Sequence, residues 1–355
     1  MTAPRILDRR SAAHRWFETR WRSWQDHEPV WLPPAAAATT ALQHRILEHR
    51  LKARPTPPVN PLVVSVGNLR VGGTGKTPVV IDTVVRLCER NVLGVVLVRG
   101  YGSGRRGPCL VDPEDRACGD EARLIARDGG WPVIQAADRR EGFAFACSIA
   151  PRNGVILLED AHQTAGVPRH RDILILDRWC GDRGSCRPRA GRLIPWGPYR
   201  EGAEGADRAD VWITESAAED APCQPELHPS RPVLSFRRSS VPPRSALDCA
   251  APYGVVCGLA RPEAFENSCE AVMGRPPGII ARFDDHAVYT SADVAALMQA
   301  GSGSGVAHWL TTGKDHGKLG LLWPDALTLH EVGLALDWKS TSPADLIVGW
   351  LAERT

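Results

Sequence analysis

The sequence has no long hydrophobic run. None of its apolar stretches approaches the roughly 18–20 consecutive residues that a membrane-spanning helix requires. Its basic beginning, MTAPRILDRR, is not followed by the apolar segment of a secretory signal. These absences predict a chain that neither spans a membrane nor is secreted, and we expect it in the cytoplasm.

The sequence also has no closely spaced cysteine pairs and only a small net charge. The 355 residues include ten cysteines but no Cys-x-x-Cys pair, and the closest spacing runs from Cys180 to Cys186. This pattern disfavours a zinc site and predicts reduced, mostly packed thiols. A formal net charge of only +2 gives no indication of a nucleic-acid partner. No feature of the sequence predicts an obligate protein partner.

Residues 1–54 concentrate arginine and tryptophan. They hold ten basic against five acidic residues and four of the twelve tryptophans. Ala13, Phe17, Trp21 and Trp24 recur at helical spacing, which predicts an amphipathic helix with arginines along its flank. Such a helix either lies on an anionic lipid surface or packs its tryptophans onto the protein itself. The pattern leaves both interpretations open.

A glycine-rich loop follows the run Leu62–Val66, which is typical of a buried parallel strand. The residues of this loop are Gly72, Gly73, Thr74, Gly75, Lys76 and Thr77. A helical pattern opens directly after them, so strand, loop and helix occur in P-loop order. In such a loop backbone N–H groups surround a phosphate, the lysine reaches its outer oxygens and the threonine hydroxyl binds Mg²⁺. We predict a nucleotide-phosphate site at these six residues.

The loop lacks one glycine of the Walker motif G-x-x-x-x-G-K-[ST], because Arg70 stands five residues before Gly75. Gly72 and Gly73 can supply the flexibility instead. The loop also lacks the lysine that membrane-cycling ATPases carry just before their paired glycines, since Val71 occupies that place. This second departure favours a phosphotransferase, with a membrane-cycling P-loop ATPase as an alternative.

Further apolar runs predict strands at 92–98, 155–158, 173–176 and 211–214, with helical segments between most of them. This alternation is typical of an α/β fold with a P-loop NTPase-like, doubly wound, mostly parallel sheet. Active sites of such sheets lie at the carboxyl ends of strands. Val155–Asp160 has the form of a Walker B strand, so Glu159 and Asp160 are candidate metal ligands, unless they are only turn residues.

Seven short motifs follow one another along the chain. They are SVGNLRVGGTGKTP at 65–78, VRGYG at 98–102, GDEA at 119–122, IPWGPYRE at 194–201, GLARP at 258–262, FDDHAVYT at 283–290 and TGKD at 312–315. In these motifs and in their order, the chain from about residue 40 to its end resembles the tetraacyldisaccharide 4'-kinases of lipid A biosynthesis. The phosphate loop of that family also lacks the first Walker glycine.

The resemblance implies transfer of the γ-phosphate of ATP to the 4'-hydroxyl of an acylated glucosamine disaccharide 1-phosphate. ATP and Mg²⁺ would be the cofactors, and the residues near the metal would be Thr77, Glu121, Glu159 and Asp160. Asp120 would be the catalytic base, His286 its partner and Lys76 the phosphate-binding cation. Arg99 and Arg200 would be phosphate contacts or structural ion pairs. The amino-terminal helix would hold the enzyme peripherally on the cytoplasmic face of the inner membrane, where the acceptor lipid lies.

One segment departs from the family's pattern. Where the family has Asp-Asp-Gly-(aromatic or Leu)-Gln-His, this chain reads Glu159-Asp160-Ala161-His162-Gln163-Thr164. Glutamate has a longer arm than aspartate, and loss of the glycine stiffens the turn. The departure is compatible with a weak or altered kinase. A degenerate nucleotide-binding membrane scaffold is the other alternative to an active kinase.

We predict three parts in the chain: an amino-terminal amphipathic helical segment at 1–58, a P-loop kinase domain at 59–245 and a smaller carboxyl-terminal α/β domain at 246–355. The second boundary follows the proline- and serine-rich stretch Ser239–Ser245. Closure of the smaller domain would bring His286 over the nucleotide.

Overall fold

The structure is a computed structural model, and it describes residues 4–12, 15, 34–52, 55–176, 193–194, 199–216, 231–243, 245, 247–259, 262–325 and 327–354. The chain forms two compact units. The larger unit combines Trp21–Arg237 with Leu336–Thr355, and the smaller unit combines Met1–Arg20 with Arg238–Ala335. These units group the chain differently from the three predicted parts, whose boundaries stay a prediction.

The described residues form strands and helices in alternation. In chain order the strands are β1 Arg5–Asp8, β2 Leu62–Asn68, β3 Gly94–Val98, β4 Cys109–Leu110, β5 Val133–Gln135, β6 Val155–Glu159, β7 Arg171–Leu176, β8 Val211–Glu215, β9 Val233–Val241, β10 Tyr253–Cys257, β11 Ile279–Arg282, β12 His308–Thr312 and β13 Thr328–Trp338. The helices are α1 Pro34–Lys52, α2 Lys76–Glu89, α3 Asp120–Asp128, α4 Arg139–Ile149, α5 Pro262–Met273, α6 Ser291–Ser302, α7 Gly313–Leu319 and α8 Pro343–Ala352, with a 3₁₀ helix at Ala203–Arg208.

The larger unit is built on a sheet with the strand order β9-β8-β7-β2-β6-β3-β5-β4. Its neighbouring strands are parallel, except that β4 runs antiparallel to β5. Alternate residues of β2 enter two different cores. Val64 packs in the cluster that includes Val80 of α2, whereas Val63 packs in the cluster that includes Ala146 of α4. Both faces of the sheet are therefore covered, which confirms the predicted doubly wound α/β fold.

Helix α2 begins at Lys76, directly after the glycine loop, as the sequence predicts. Its apolar side, which includes Val80, Val84 and Leu87, is buried. The preceding residue, Gly75, has a φ of 87°. A residue with a Cβ adopts this left-handed conformation only at a cost of about 1–2 kcal/mol. Gly75 therefore permits the sharp change of direction from loop to helix.

The smaller unit has the strand order β1-β11-β10-β12-β13, and its pairs are parallel. Trp309 is completely buried in its core, where Phe283 and Tyr289 also meet edge to face with ring centroids 4.9 Å apart. The strand β1 adds Arg5–Asp8 to this sheet. A run of four residues is too short to show the hydrophobic pattern of a strand, so the sequence does not predict β1.

The tryptophan stripe predicted at residues 13–24 lies outside the described residues. Helix α1 contains the periodic segment that follows it, and its residues Leu42 and Ile46 are exposed by 59% and 50%. Among the helices that the structure describes, none combines the length and the apolarity that crossing a bilayer takes.

Candidate functional site

The carboxyl ends of β2 and β6 lie side by side at one edge of the larger unit's sheet. The register pairs Val66 with Glu159, and the Asp160 backbone N–H donates to the Val66 carbonyl at 2.8 Å. The glycine loop leaves the sheet from β2, and the two acids stand where β6 ends. The sheet therefore brings the predicted phosphate loop and the predicted Walker B acids to neighbouring positions.

Asn68 holds the glycine loop in place. Its Nδ2 donates to the Arg70 carbonyl and to the Thr74 hydroxyl, both at 2.6 Å. Gly72 and Gly75 have φ values of 80° and 87°, so the loop turns at these glycines. The two hydrogen bonds of Asn68 hold Arg70 and Thr74, on either side of Gly72, close together. Sequence reasoning missed Asn68, although a polar residue at the end of an otherwise apolar strand is the signal that could have found it.

Asp160 lies between two cationic side chains. Its Oδ1 is 3.7 Å from Lys76 Nζ and 2.6 Å from Arg200 Nη1. The Asp160 backbone has a φ of 54°, a left-handed conformation that costs a non-glycine residue about 1–2 kcal/mol. Of the two roles left open for Arg200, the structure shows an ion pair. The structure thus brings Lys76 and Asp160 together.

Glu159 and Asp160 are neighbours in very different electrostatic environments. Burial, reinforced by the negative charges of Glu121 and Asp160, raises the pKa of Glu159 to about 8. Burial also opposes ionisation of Asp160, but the charges of Lys76 and Arg200 outweigh it and lower its pKa. The surroundings therefore favour the ionised form of Asp160 and, when no cation is bound, the protonated form of Glu159.

Among the residues predicted to lie near a metal, Glu159 has an oxygen atom that could accept a cation. Oε1 of Glu159 is buried and has no hydrogen-bond partner among the described residues, and a cation would supply one. The same cation would offset the repulsion that Glu121 and Asp160 exert on Glu159. Thr77 is buried at the start of α2. In the described part of the chain no three His, Cys, Asp or Glu side chains form a metal-holding group, so Glu121, Glu159 and Asp160 do not make a preformed three-acid site.

Asp120 stands at the first position of α3, after Gly119. Gln135 fixes this helix start, because its Oε1 accepts the Gly119 N–H at 2.7 Å and its amide donates to the Ser103 hydroxyl at 2.8 Å. A Cβ on Gly100 would lie 2.1 Å from the Gln135 side chain. The VRGYG turn and the GDEA motif therefore meet around one buried glutamine, which no sequence motif indicated.

Arg139 is a second buried residue that the sequence did not reveal. Its guanidinium donates to the carbonyl of Leu97 at 3.0 Å and to the carbonyl of Glu159. Burial lowers its pKa. Arg139 follows Asp138, which caps α4 through its side chain. The start of α4 thus places the Arg139 guanidinium at the carboxyl ends of β3 and β6, where it binds the backbone carbonyl of Glu159.

His286 belongs to the smaller unit. It has a φ of 61°, and its Nε2 lies 4.0 Å from Asp285. Asp285 accepts from Lys314 Nζ at 2.8 Å. The carboxylate of Asp315 accepts the Gly258 N–H at 2.9 Å. The three motifs of this unit, at 258–262, 283–290 and 312–315, are therefore connected by direct side-chain contacts.

The fold and the loop together define a P-loop NTPase-like protein of the α/β class. The family model described as tetraacyldisaccharide-1-P 4'-kinase (LpxK) matches residues 29–347. The chain is 32% identical to the tetraacyldisaccharide 4'-kinase of Phenylobacterium zucineum over 96% of this chain and 99% of that protein. It is 35% identical to the one from Rhodospirillum centenum over 75% of each. The chain belongs to the tetraacyldisaccharide-1-P 4'-kinase family.

A solved crystal structure has a similar fold. The crystal structure of LpxK from Aquifex aeolicus in complex with ATP resembles this chain with a TM-score of 0.63 and 21% identity, covering 88% of this chain and 97% of that one. Family membership confirms the predicted enzyme class: the protein is a kinase, and thus a phosphotransferase, of a family in lipid A biosynthesis. It supports a lipid A 4'-kinase function.

Proposed function

We propose that this protein transfers the γ-phosphate of ATP, with Mg²⁺, to the 4'-hydroxyl of an acylated glucosamine disaccharide 1-phosphate. The observation that carries the proposal is the approach of Lys76 to Asp160, 3.7 Å apart at the mouth of a glycine loop with left-handed turns. This contact supports a role for Lys76 as the phosphate-binding cation beside Asp160, the acid that follows β6. The family match supplies the acceptor class.

In this proposal, the candidate site residues of the larger unit have distinct tasks. The backbone of Gly72, Gly73, Thr74 and Gly75 binds the phosphates, and Lys76 neutralises their outer oxygens. Mg²⁺ would supply positive charge against the negative charge that develops during transfer. The residues that would hold it are Thr77, Glu121, Glu159 and Asp160. Arg200 orients Asp160 through the 2.6 Å ion pair.

Asp120 serves in the proposal as the base that accepts the proton of the sugar hydroxyl, and His286 serves as its partner. Both roles rest on the resemblance of the GDEA and FDDHAVYT motifs to the family. The geometry in support is local: Gln135 fixes the start of α3 beneath Asp120, and Lys314 fixes Asp285 beside His286.

The protein would act peripherally on the cytoplasmic face of the inner membrane, because the acyl chains of the acceptor stay in the bilayer. The basic, tryptophan-rich amino-terminal segment supports this proposal by its sequence pattern alone.

The test is transfer of label from [γ-³²P]ATP to the acceptor lipid in detergent micelles. We expect labelled lipid with the wild-type protein, and a loss of at least about 1,000-fold with Lys76→Ala, since a cation on the transferred phosphate contributes several kcal/mol in the transition state. Lys339→Ala, which changes a lysine outside the site, is the matched control. Nucleotide binding without labelled lipid would instead support the membrane scaffold. Lipid-stimulated ATP hydrolysis without acceptor would support the membrane-cycling ATPase.

A further inference from the structure

His162 is buried in the larger unit, and none of the proposed catalytic tasks uses it. It stands two residues after Asp160, at the position where the family's pattern has an aromatic residue or leucine, and its side chain is 0% exposed. We propose that His162 is a positioning residue whose ring ties the loop that carries Asp160 to the loop that carries Arg200. The inference rests on the proposed kinase function.

One nitrogen of the His162 ring contacts the 3₁₀ helix that follows Arg200. Nε2 lies 2.8 Å from the carbonyl oxygen of Gly205. A carbonyl only accepts hydrogen bonds, so Nε2 carries the hydrogen. Arg208 Nη2 lies 3.2 Å from the same nitrogen but is itself a donor, and it donates to the Glu201 carboxylate. The ring therefore joins position 162 to Gly205 by a direct hydrogen bond.

The other nitrogen of the ring faces a buried acid. Nδ1 lies 3.6 Å from Oδ1 of Asp172, and Oδ2 of Asp172 accepts from Arg169 Nε at 2.8 Å. The same arginine donates to the carbonyl of Ala161 and, at 2.8 Å, to the carbonyl of His162. The backbone at 161–162 is thus held by the residues that also face the ring.

The main chain at position 162 packs closely on β2. A Cβ on Gly67 would lie 2.6 Å from the His162 Cβ, which is closer than packed carbon atoms approach. Gly67 lies one residue before Asn68, the residue that braces the phosphate loop. A shift of the chain at position 162 would therefore disturb both the turn at Asp160 and the strand that leads into the loop.

Gln163 and Glu201 make a second connection between the same two loops. Gln163 Nε2 donates to Glu201 Oε1 at 2.7 Å and to the Asn68 carbonyl at 2.8 Å. Arg200, next to Glu201 in the chain, forms the ion pair with Asp160. Loss of the bond to Gly205 would loosen the segment that follows Arg200, so Asp160 would lose a fixed partner. Cation binding and phosphate alignment would therefore be impaired, whereas binding of the acceptor lipid would be unchanged.

The test compares His162→Gln with His162→Asn. The glutamine amide places an N–H donor near the position of Nε2, whereas the asparagine amide is one methylene too short to reach Gly205. We would measure kcat, the KM for the acceptor lipid and the Mg²⁺ concentration at half-maximal rate. We expect His162→Asn to lower kcat about 10-fold and to raise the Mg²⁺ requirement at least about threefold, with an unchanged acceptor KM. We expect His162→Gln to stay within about twofold of the wild type.

Wild-type kinetics in His162→Asn, or equal losses in the two variants, would overturn the proposal. A changed acceptor KM with an unchanged Mg²⁺ requirement would do the same. Melting temperatures from circular dichroism ensure that all assays compare folded protein. If His162→Asn proves unfolded, His162→Phe, which preserves the ring volume without the donor, replaces it under the same criteria.

A second readout separates this inference from the proposed function. If the wild type transfers no phosphate, the proposed function fails, and the variants are then titrated by calorimetry with a nonhydrolysable ATP analogue and MgCl₂. Weaker Mg²⁺-dependent binding by His162→Asn than by His162→Gln supports the positioning role. Equal binding by both overturns it.

Discussion

At the scale of single residues, Asp120 is the side chain on which the proposed proton transfer depends. It occupies the first turn of α3, where the helix dipole stabilises a negative charge. Asp120→Asn keeps the size of the side chain but removes the proton acceptor. We therefore expect kcat to fall at least about 100-fold with little change in the KM for ATP, as measured by steady-state transfer to the acceptor lipid.

The matched control for that change is Asp128→Asn, which alters an exposed acid at the other end of α3. It should leave kcat unchanged. Wild-type turnover in Asp120→Asn would show that another group accepts the proton.

The residues of the site differ in how far the sequence could predict them. Lys76, Thr77 and Asp160 belong to patterns whose chemistry requires those residue types, so the sequence predicts them directly. Asn68, Gln135 and Arg139 act by hydrogen bonds to backbone groups that are distant in the chain. Such bonds leave no local pattern in the sequence. A polar residue that makes a distant hydrogen bond cannot be told from other polar residues at the ends of helices and strands.

At the scale of elements, β2 positions the phosphate loop, and His170 anchors the start of this strand. The Nδ1 of His170 accepts the Val63 N–H at 2.9 Å, which only the neutral ring can do at that nitrogen. Burial, with the nearby charge of Arg354, lowers the pKa of His170 from 6.5. Because the folded pKa lies below the unfolded one, the contribution of His170 to stability is present above pH 6.5 and is lost as the pH falls through the folded pKa.

We therefore expect the free energy of unfolding to fall, as the pH is lowered from above 6.5 through the folded pKa of His170, by on the order of 1 kcal/mol more in the wild type than in His170→Asn. The asparagine amide oxygen can accept the Val63 N–H without titrating. Urea unfolding at several pH values measures the difference. Parallel pH profiles for the two proteins would show that His170 does not contribute.

Buried parallel strands were the most predictable elements. The runs predicted at 155–158, 173–176 and 211–214 lie within the observed β6, β7 and β8, because strands buried on both faces are continuous apolar runs. The run predicted at 92–98 begins two residues before the observed β3 Gly94–Val98. The strand β1 was missed because its pairing with β11 comes from a segment far along the chain.

At the scale of the whole molecule, the proposed action at the membrane depends on the amino-terminal segment. We expect the double change Trp21→Ala with Trp24→Ala to weaken binding to vesicles of anionic lipid by several-fold, because two aromatic anchors at head-group depth are lost. Vesicle co-sedimentation measures the binding, and circular dichroism verifies the fold.

The control for this change is Leu93→Ala, which removes a 63% exposed apolar side chain in the larger unit. It should leave vesicle binding unchanged. Undiminished binding by the double tryptophan variant would show that those tryptophans pack on the protein itself.

The carboxyl-terminal residues show what chain order alone could not predict. Helix α8 packs with α2 in the larger unit, where Arg90 pairs with Asp345 at 2.6 Å. Trp338 donates to Asp82, also on α2, at 2.7 Å. The end of the chain thus supports the helix that starts at Lys76, although the smaller unit lies between them in the sequence.

The sequence by itself determined the phosphate loop, the parallel strands around it and the family, since these depend on residue types at short spacing and on continuous apolar runs. Tertiary structure alone decided that Arg200 pairs with Asp160, that the pKa of Glu159 is raised while that of Asp160 is lowered, and that His162 is buried between two loops. The physical reason is that hydrogen bonds, ion pairs and pKa values depend on distances and burial. Those quantities arise only when segments remote in the chain fold together.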